Sequence, residues 1–544
     1  MLMTKGWPAT LFVAVLGLVL ATPAGAQATH KDTKIGFSFK PPKDFTAIAI
    51  DPTEHITVAK YQSEQADQSG DGNGGQYNRD FIVRFYPAKE DKTFAQSDDD
   101  EEDKPPLTGD PSKDEHAAGP TRPTASALVE SLRDGRFAKF DCSKEKTVKL
   151  AGTTATEMTF TATDSPISYN ALVLEQDDGV FVMQGSSLSQ RFDKASGDFA
   201  AAAKSFKRIE RADLSAHVAD LKSMDEQSRF LQQQIDKLPP GWSYLKTKRY
   251  VFLYDAEKAF VEDLATRIEA MRDQYEKDYP PTKPIDAISI VRVCANFNEY
   301  HGYGGPEGSG GYWYDVAREL VVFDLSPRIV TLAIINHEAF HQYIYYFYGE
   351  LAPHSWYNEG TGDYYAGAKI SKSNRVTSFG DAPGGIGRQQ DIKEGARLLA
   401  EGKGKDDGAA PPLKDLLHFH HDQYYGSLGY DGGLCYAAGW SVVHFLRQGK
   451  SLDPKWARIL PDYLTALLAA RDQVAQEVMD KAIAKAEKKE AGSGAKLPHD
   501  IASWYGKLTE SDVQDIAYDL TFKDWTAGDW KKFQEAWLKY VEKL

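Results

Sequence analysis

The stretch Ile335-Asn336-His337-Glu338-Ala339-Phe340-His341-Gln342-Tyr343-Ile344 decides how this chain is read, together with Trp356-Tyr357-Asn358-Glu359-Gly360-Thr361-Gly362-Asp363 downstream. Ser326-Pro327 stands before it. Serine is a good N-cap and proline is well tolerated at the first helical position, so a helix is predicted to begin there. Apolar Ile329, Leu332, Ala333, Ile335 and Ala339 continue it, and Gly349 is a natural stop. Residues four apart on such a helix share a face, about 6 Å apart along the axis. His337 and His341 can therefore present two imidazole nitrogens to one tetrahedral zinc at about 2.0–2.1 Å each. Glu338 lies beside the first of them, where it can reach a metal-bound water and take its proton.

Three fixed residues in five recur by chance in long chains, so context has to decide. The motif falls on a helix with apolar flanks, and Glu359 follows His341 at a distance of eighteen residues. That length accommodates a turn and the start of an antiparallel second helix. Two histidines and one carboxylate leave the fourth zinc position open for water, as catalysis needs and a closed structural site lacks. Asp363, one turn after Glu359, is either an outer carboxylate that accepts the second N–H of a zinc-bound histidine or a plain surface acid.

Outward from this centre, Tyr250–Tyr254, Ala287–Val293 and Glu319–Asp324 read as strands, and Ala256–Tyr279 as a long amphipathic helix ended by Pro280-Pro281. This is a small α/β lobe, and beyond Ala366 the pattern is mainly helical. Tyr312-Trp313-Tyr314, after a glycine-rich loop, is either an exposed edge strand that could pair with an extended peptide or an aromatic strand packed in the core. Residues Ala212–Leu238 read as one connecting helix stopped by Pro239-Pro240-Gly241. Before that, Ile35–Phe39, Phe81–Tyr86, Thr153–Thr161, Ile167–Glu175 and Val180–Ser186 are strands, with helices at Ala125–Asp134 and Phe199–Phe206. The class expected is α+β, with an N-terminal antiparallel-sheet domain. The division is 1–26 signal segment, 30–208 accessory domain with an acidic loop at 91–123, 209–240 connector, 241–370 α/β lobe with the motif helix, and 371–544 helical lobe.

The remaining features bound the function. Lys5, the apolar run Leu11–Ala21 and Ala24-Gly25-Ala26 have the form of a cleavable secretory signal, which implies a secreted or periplasmic protein with no stable membrane insertion afterwards. A net charge of −15 argues against nucleic acid as a partner. Asp98–Asp103 is contiguous like charge, the mark of a solvated segment, and the Asp67–Gly75 loop lacks calcium-loop spacing. Three cysteines, Cys142, Cys294 and Cys435, are no disulfide framework. The last two either pair or, as blander residues, remain buried free thiols. His418, His420 and His421 lack a helix face or a nearby carboxylate set, so they read as a surface loop. His354 reads as a loop residue at the cleft mouth.

Two resemblances add to this. "GFSFKPPKDF" (36–45) with the closing "SFKRI" (205–209) resembles the PsbP and DcrB group of small α+β domains, which implies an accessory or binding module. "LKTKRYVFLYD" (245–255), "GGYWYDVARELVVFD" (310–324), "INHEAFHQYI" (335–344), "WYNEGTGDYYAG" (356–367) and "YAAGWSVVHFL" (436–446) resemble the gluzincin clan, which includes thermolysin-like enzymes and the peptidase MA-like bacterial branch. That resemblance implies a zinc metallopeptidase acting on a peptide or protein. Zn2+ would be held by His337, His341 and Glu359, Glu338 would be the base and Asp363 the outer carboxylate. Tyr436, with His444 behind it, would stabilise the oxyanion. The Gly-x-Met-Glu-Asn segment with which related aminopeptidases bind a free amine is absent, which counts against an exopeptidase of that type. The alternatives are a non-catalytic cell-envelope binding protein on the same scaffold and a hydrolase of a non-peptide amide.

Overall fold

Alternation of apolar side chains along each strand builds the N-terminal part around a sheet covered on both faces. A computed structural model describes residues 28–68, 76–88, 124–134, 140–162, 166–281, 284–285, 287–450, 452–489, 498 and 500–544. The signal segment, the acidic loop and most of the Asp67–Gly75 loop lie outside the described residues.

Seven antiparallel strands run in the order Phe45–Ala47, Thr57–Ser63, Asp80–Pro87, Gly179–Leu188, Ile167–Gln176, Thr153–Ala162, Phe140–Leu150. Phe181 and Met183 point to one face, where the helix Ser189–Lys204 lays Phe192, Phe199 and Ala203 over them. Val180 and Val182 point to the other, under Leu128 and Val129 of the helix Ala125–Asp134. Gly185 is required beneath the first helix, because a Cβ there would stand 2.3 Å from the Phe199 ring. That helix is twice the expected length. Its first half is the polar stretch Ser189–Gly197, in which only Phe192 and Ala195 are buried, too few to show a period in the sequence.

The connector is two helices, Ser215–Ser223 and Glu226–Asp236, rather than one. Asp225 breaks it: its side chain caps the second helix by accepting from the Ser228 amide, and Met224 before it is extended. A five-stranded sheet follows, ordered Ser243–Lys246, Tyr250–Tyr254, Ser289–Cys294, Glu319–Phe323, Gly311–Tyr314. Its three inner strands are parallel, and each edge is an antiparallel hairpin. The long helix Lys258–Asp278 and the motif helix Ile329–Tyr348 pack together on it. The motif helix starts two residues later than expected, with Arg328 at its cap, and stops at Gly349, whose φ of 120° suits glycine.

One apolar core runs without a break from Tyr250 to Val541, so the helices Gln389–Ala400, Gly432–Gln448, Ile459–Lys489, Glu510–Phe522 and Ala527–Val541 close over the same centre. A short hairpin, Ala368–Ile370 with Val376–Phe379, interrupts the helical part. Cys294 and Cys435 are both buried and both free, so the pairing weighed from the sequence does not form. No described helix is long and apolar enough to cross a membrane.

Candidate metal centre

The motif helix is held so that its polar face has one orientation. Ile335, Ala339, Phe340, Tyr343 and Ile344 are buried on the core side. The Tyr275 hydroxyl donates to the Asn336 carbonyl at 2.6 Å, and Gln342 reaches the Ile290 carbonyl of the central strand at 3.2 Å. His337, Glu338 and His341 are thereby turned towards the next helix, Ser355–Ala366. That helix is fixed from behind by Gly432–Gln448 at a point where both chains are glycine: a Cβ on Gly360 would stand 2.6 Å from the Gly439 carbonyl.

Glu359 projects from it between the two histidines. One carboxylate oxygen, Oε2, lies 3.2 Å from His337 Nε2 and 3.5 Å from His341 Nε2. A tetrahedral zinc with bonds of about 2.0–2.1 Å separates its ligand atoms by about 3.3 Å, which both histidine–carboxylate separations match, and all three donor atoms lie within 4.8 Å of one another. The same helix also supplies the partners of the other two ring nitrogens. Asp363 Oδ1 is 2.9 Å from His337 Nδ1, and Asn358 Oδ1 is 3.1 Å from His341 Nδ1. Both acceptors fix a proton on Nδ1, so that each Nε2 faces Glu359 and is the ring atom that would turn its lone pair to an ion bound there. Asp363 is buried and is no surface acid, and Arg388 donates to its second oxygen at 2.8 Å.

The electrostatics follow from this crowding. Burial works against charge on His337, but the Asp363 and Glu359 carboxylates override it and raise its pKa well above the ordinary value. His341 is raised in the same way, by Glu359 against burial. Burial opposes the Glu359 carboxylate too, and the two imidazoles outweigh it and hold the pKa well below the usual range. Glu338 goes the other way: burial raises it, with the imidazoles pulling back and the Trp313 main-chain amide hydrogen-bonding its carboxylate.

Trp313 belongs to the strand Gly311–Tyr314, which is the outermost of its sheet. Its ring packs on Tyr345 and Tyr346 of the motif helix, whereas Tyr312 and Tyr314 point to the opposite face. There the Tyr314 hydroxyl donates to Asp51, at 3.0 Å from Oδ2, so the accessory domain touches the edge strand.

Tyr436 stands at the other wall, its ring under the Arg388 guanidinium, and its hydroxyl is 2.6 Å from that of Tyr425. Burial and then the Glu359 charge push its pKa up, so it remains a proton donor. Tyr425 was not anticipated, and its hydroxyl also reaches Glu359. His444 does not stand behind Tyr436. It sits two turns further on, with Nδ1 2.8 Å from the Tyr540 hydroxyl and its ring against Trp440. His354 is not at a cleft mouth either: it is fully buried, because the Tyr463 hydroxyl holds both its backbone amide and Nδ1 at the start of the Glu359 helix.

No family model matches the chain, and no curated protein matches it. Solved structures overlap about a third of it. The cyanobacterial PsbP of Synechocystis sp. PCC 6803 is 12% identical over 35% of this chain and 99% of its own, at a TM-score of 0.23. A protein of unknown function from Pseudomonas aeruginosa, described as a putative regulator, is 9% identical over 35% and 100%, at 0.19. LpqN of Mycobacterium tuberculosis, described as involved in cell envelope biogenesis, is 13% identical over 34% and 90%, at 0.21. Overlaps this slight carry nothing about the candidate metal centre, whose reading rests on its own residues.

Proposed function

We propose that the chain is an exported zinc-dependent peptidase that hydrolyses peptide bonds at the centre formed by His337, Glu338, His341 and Glu359. The observation that carries this reading is the convergence of two Nε2 atoms on one Glu359 oxygen, with each Nδ1 held from behind by Asp363 or Asn358. A zinc ion bound there supplies a polarised carbonyl and an acidified water. The chain's own residues do the rest. Burial makes Glu338 a stronger base than an exposed carboxylate; it takes a proton from water and returns it to the leaving nitrogen. Tyr436, kept protonated, donates its hydroxyl hydrogen to the developing oxyanion. The edge strand Gly311–Tyr314 offers main-chain groups to an extended substrate, with Trp313 already in contact with Glu338.

The test is to purify the protein, measure bound metal and compare it with Glu338→Gln on a broad peptide library. One equivalent of zinc at this centre in both proteins, with cleavage by the parent alone, is the expected result. Zinc in both without cleavage by either would replace the peptidase by a binding protein on the same scaffold. Cleavage confined to non-peptide amides would change the substrate and keep the site.

A further inference from the structure

Outside that centre, the chain assembles a second group of metal-binding side chains from three separate elements. His418 and His420 flank Phe419, which is buried in the core, in the turn that follows the short helix Leu413–Leu416. Their Nε2 atoms converge on Asp515 Oδ1, at 3.3 Å and 2.8 Å. This repeats the arrangement of the first centre, where two Nε2 atoms meet one carboxylate oxygen at 3.2 Å and 3.5 Å. The three donor atoms lie within 4.8 Å of one another. A second observation is independent of that cluster. His354 is wholly buried, its ring centroid 6.0 Å from that of His420 and 6.3 Å from that of His418. The Tyr463 hydroxyl occupies its Nδ1, and its Nε2 has no hydrogen-bond partner. A buried ring nitrogen left unpaired beside two further imidazoles is costly to keep, and imidazole-rich donor sets prefer zinc, nickel and copper to the hard cations.

We propose that His418, His420 and Asp515, with His354 beside them, form a second divalent-metal site that takes an imidazole-preferring ion such as zinc. Asp515 and His418 are half exposed, so the ion enters directly from solvent. Its place in the fold gives it a task. Asp515 lies on the helix Glu510–Phe522, and His354 caps the helix that carries Glu359. His418 and His420 immediately precede the turn Gln423–Ser427, which carries Tyr425 to its contact with Tyr436. An ion here fastens the helix Glu510–Phe522 to the segment that leads into the tyrosine wall of the first centre.

The experiment strips the full-length protein with a chelator and titrates zinc back against a chromophoric competitor. Wild type, His337→Ala/His341→Ala, His418→Ala/His420→Ala and Asp515→Asn are compared, each checked for folding by thermal melting. Two equivalents in wild type and one in each double variant is the expected outcome, with the second equivalent weakened at least about tenfold in Asp515→Asn. If His418→Ala/His420→Ala binds as many equivalents as wild type with the same affinity, the second site is refuted. One equivalent in wild type that disappears only with His337 and His341 refutes it as well and leaves the peptidase centre standing. One equivalent that disappears only with His418 and His420 supports this site and removes the other. Asp515→Asn alters only an exposed side chain, so it still reports if the double variant fails to fold.

Discussion

Gly362→Ala should weaken zinc binding at the proposed centre without unfolding the protein. A Cβ at this position would stand 2.8 Å from both Cε1 and Nδ1 of His337, and ordinary contact begins at 3.4 Å. The imidazole therefore has to retreat by 0.6 Å, and Asp363 on the same helix turn holds its Nδ1 at 2.9 Å and resists the movement. Metal–ligand distances tolerate about 0.2 Å, so the shift is roughly three times what the site can absorb. Loss of an outer partner of a ligand typically costs about 10–100-fold in metal affinity, and a displaced ligand should cost at least the upper part of that range, about 2–3 kcal/mol. Gly360→Ala, two residues earlier, is the control. Its Cβ meets backbone rather than a side chain, at 2.6 Å from Gly439 C and O, so two helices have to separate. Overpacking of that kind costs about 1–3 kcal/mol of stability. The assay pairs chelator competition for zinc at 25 °C with thermal melting in excess chelator. Gly362→Ala should lose affinity and keep its melting temperature in chelator, and Gly360→Ala should do the reverse. Wild-type zinc affinity in Gly362→Ala, or an equal loss of stability in both variants, would refute the reasoning, because the glycine would then serve helix packing and not the ligand.

Asp363→Asn keeps the shape of the side chain and replaces the carboxylate that fixes His337; zinc affinity should fall about 10–100-fold by the same competition assay. Tyr436→Phe should lower kcat by about 10²–10³ with zinc content and KM nearly unchanged, measured on whichever peptide the wild type cleaves best. His354 gives a pH dependence. Burial, with smaller contributions from His420 and His418, depresses its pKa from 6.5 to about 3. The unfolded chain thus takes up a proton that the folded chain refuses, so this contribution to stability is complete above about pH 6.5 and is lost as the pH falls towards 3, reaching about 4–5 kcal/mol. Urea unfolding at pH 7.5 and pH 4.5 should show a smaller acid loss in His354→Gln than in the wild type.

The parts of the centre legible in the sequence are those whose partners lie within one or two helical turns. His337 and His341 share a face by spacing alone, and Glu338 is placed with them. Asp363 was within reach because it stands four residues after Glu359. Asn358 is the instructive omission. It is adjacent to Glu359 and on the same helix, but linking it to His341 Nδ1 needs the crossing of two helices, which the Gly360–Gly439 contact sets. Arg388 and Tyr425 arrive from elements 25 and 11 residues away from the groups they touch, Asp363 and Tyr436, and no periodicity announces them. The strands and the motif helix were legible for the complementary reason that burial of one face imposes a period. The polar first half of Ser189–Lys204 and the break at Asp225 carried no such period, and there the reading failed.

The same argument explains why the histidines at 418 and 420 read as surface residues. Judged along the chain they have no helix face and no carboxylate set to share an ion with, and the carboxylate that meets them in space comes from Asp515, 95 residues beyond His420. Of the three, His354 alone departs from its sequence reading: a histidine before a helix looks like loop, yet Tyr463, 109 residues on, holds it in the core. The burial of His354 and the approach of Asp515 to His418 and His420 arise from one structural fact, the return of the C-terminal helices across the start of the Glu359 helix. Ala352 binds Glu510 through its amide and Gln514 through its carbonyl, so the segment entering the candidate metal centre is tied to the same helix that carries Asp515. Anything that shifts the helix Glu510–Phe522 therefore acts at once on the His418–His420 segment and on the base of the Glu359 helix. Asp515→Asn and Glu510→Gln, both remote from Glu338, should accordingly weaken the Tyr425–Tyr436 wall before they weaken zinc at the first centre. A loss of kcat with one full equivalent of zinc retained by His337, His341 and Glu359 is the signature to look for; loss of that zinc in step with kcat would place the coupling in the ligand helix instead.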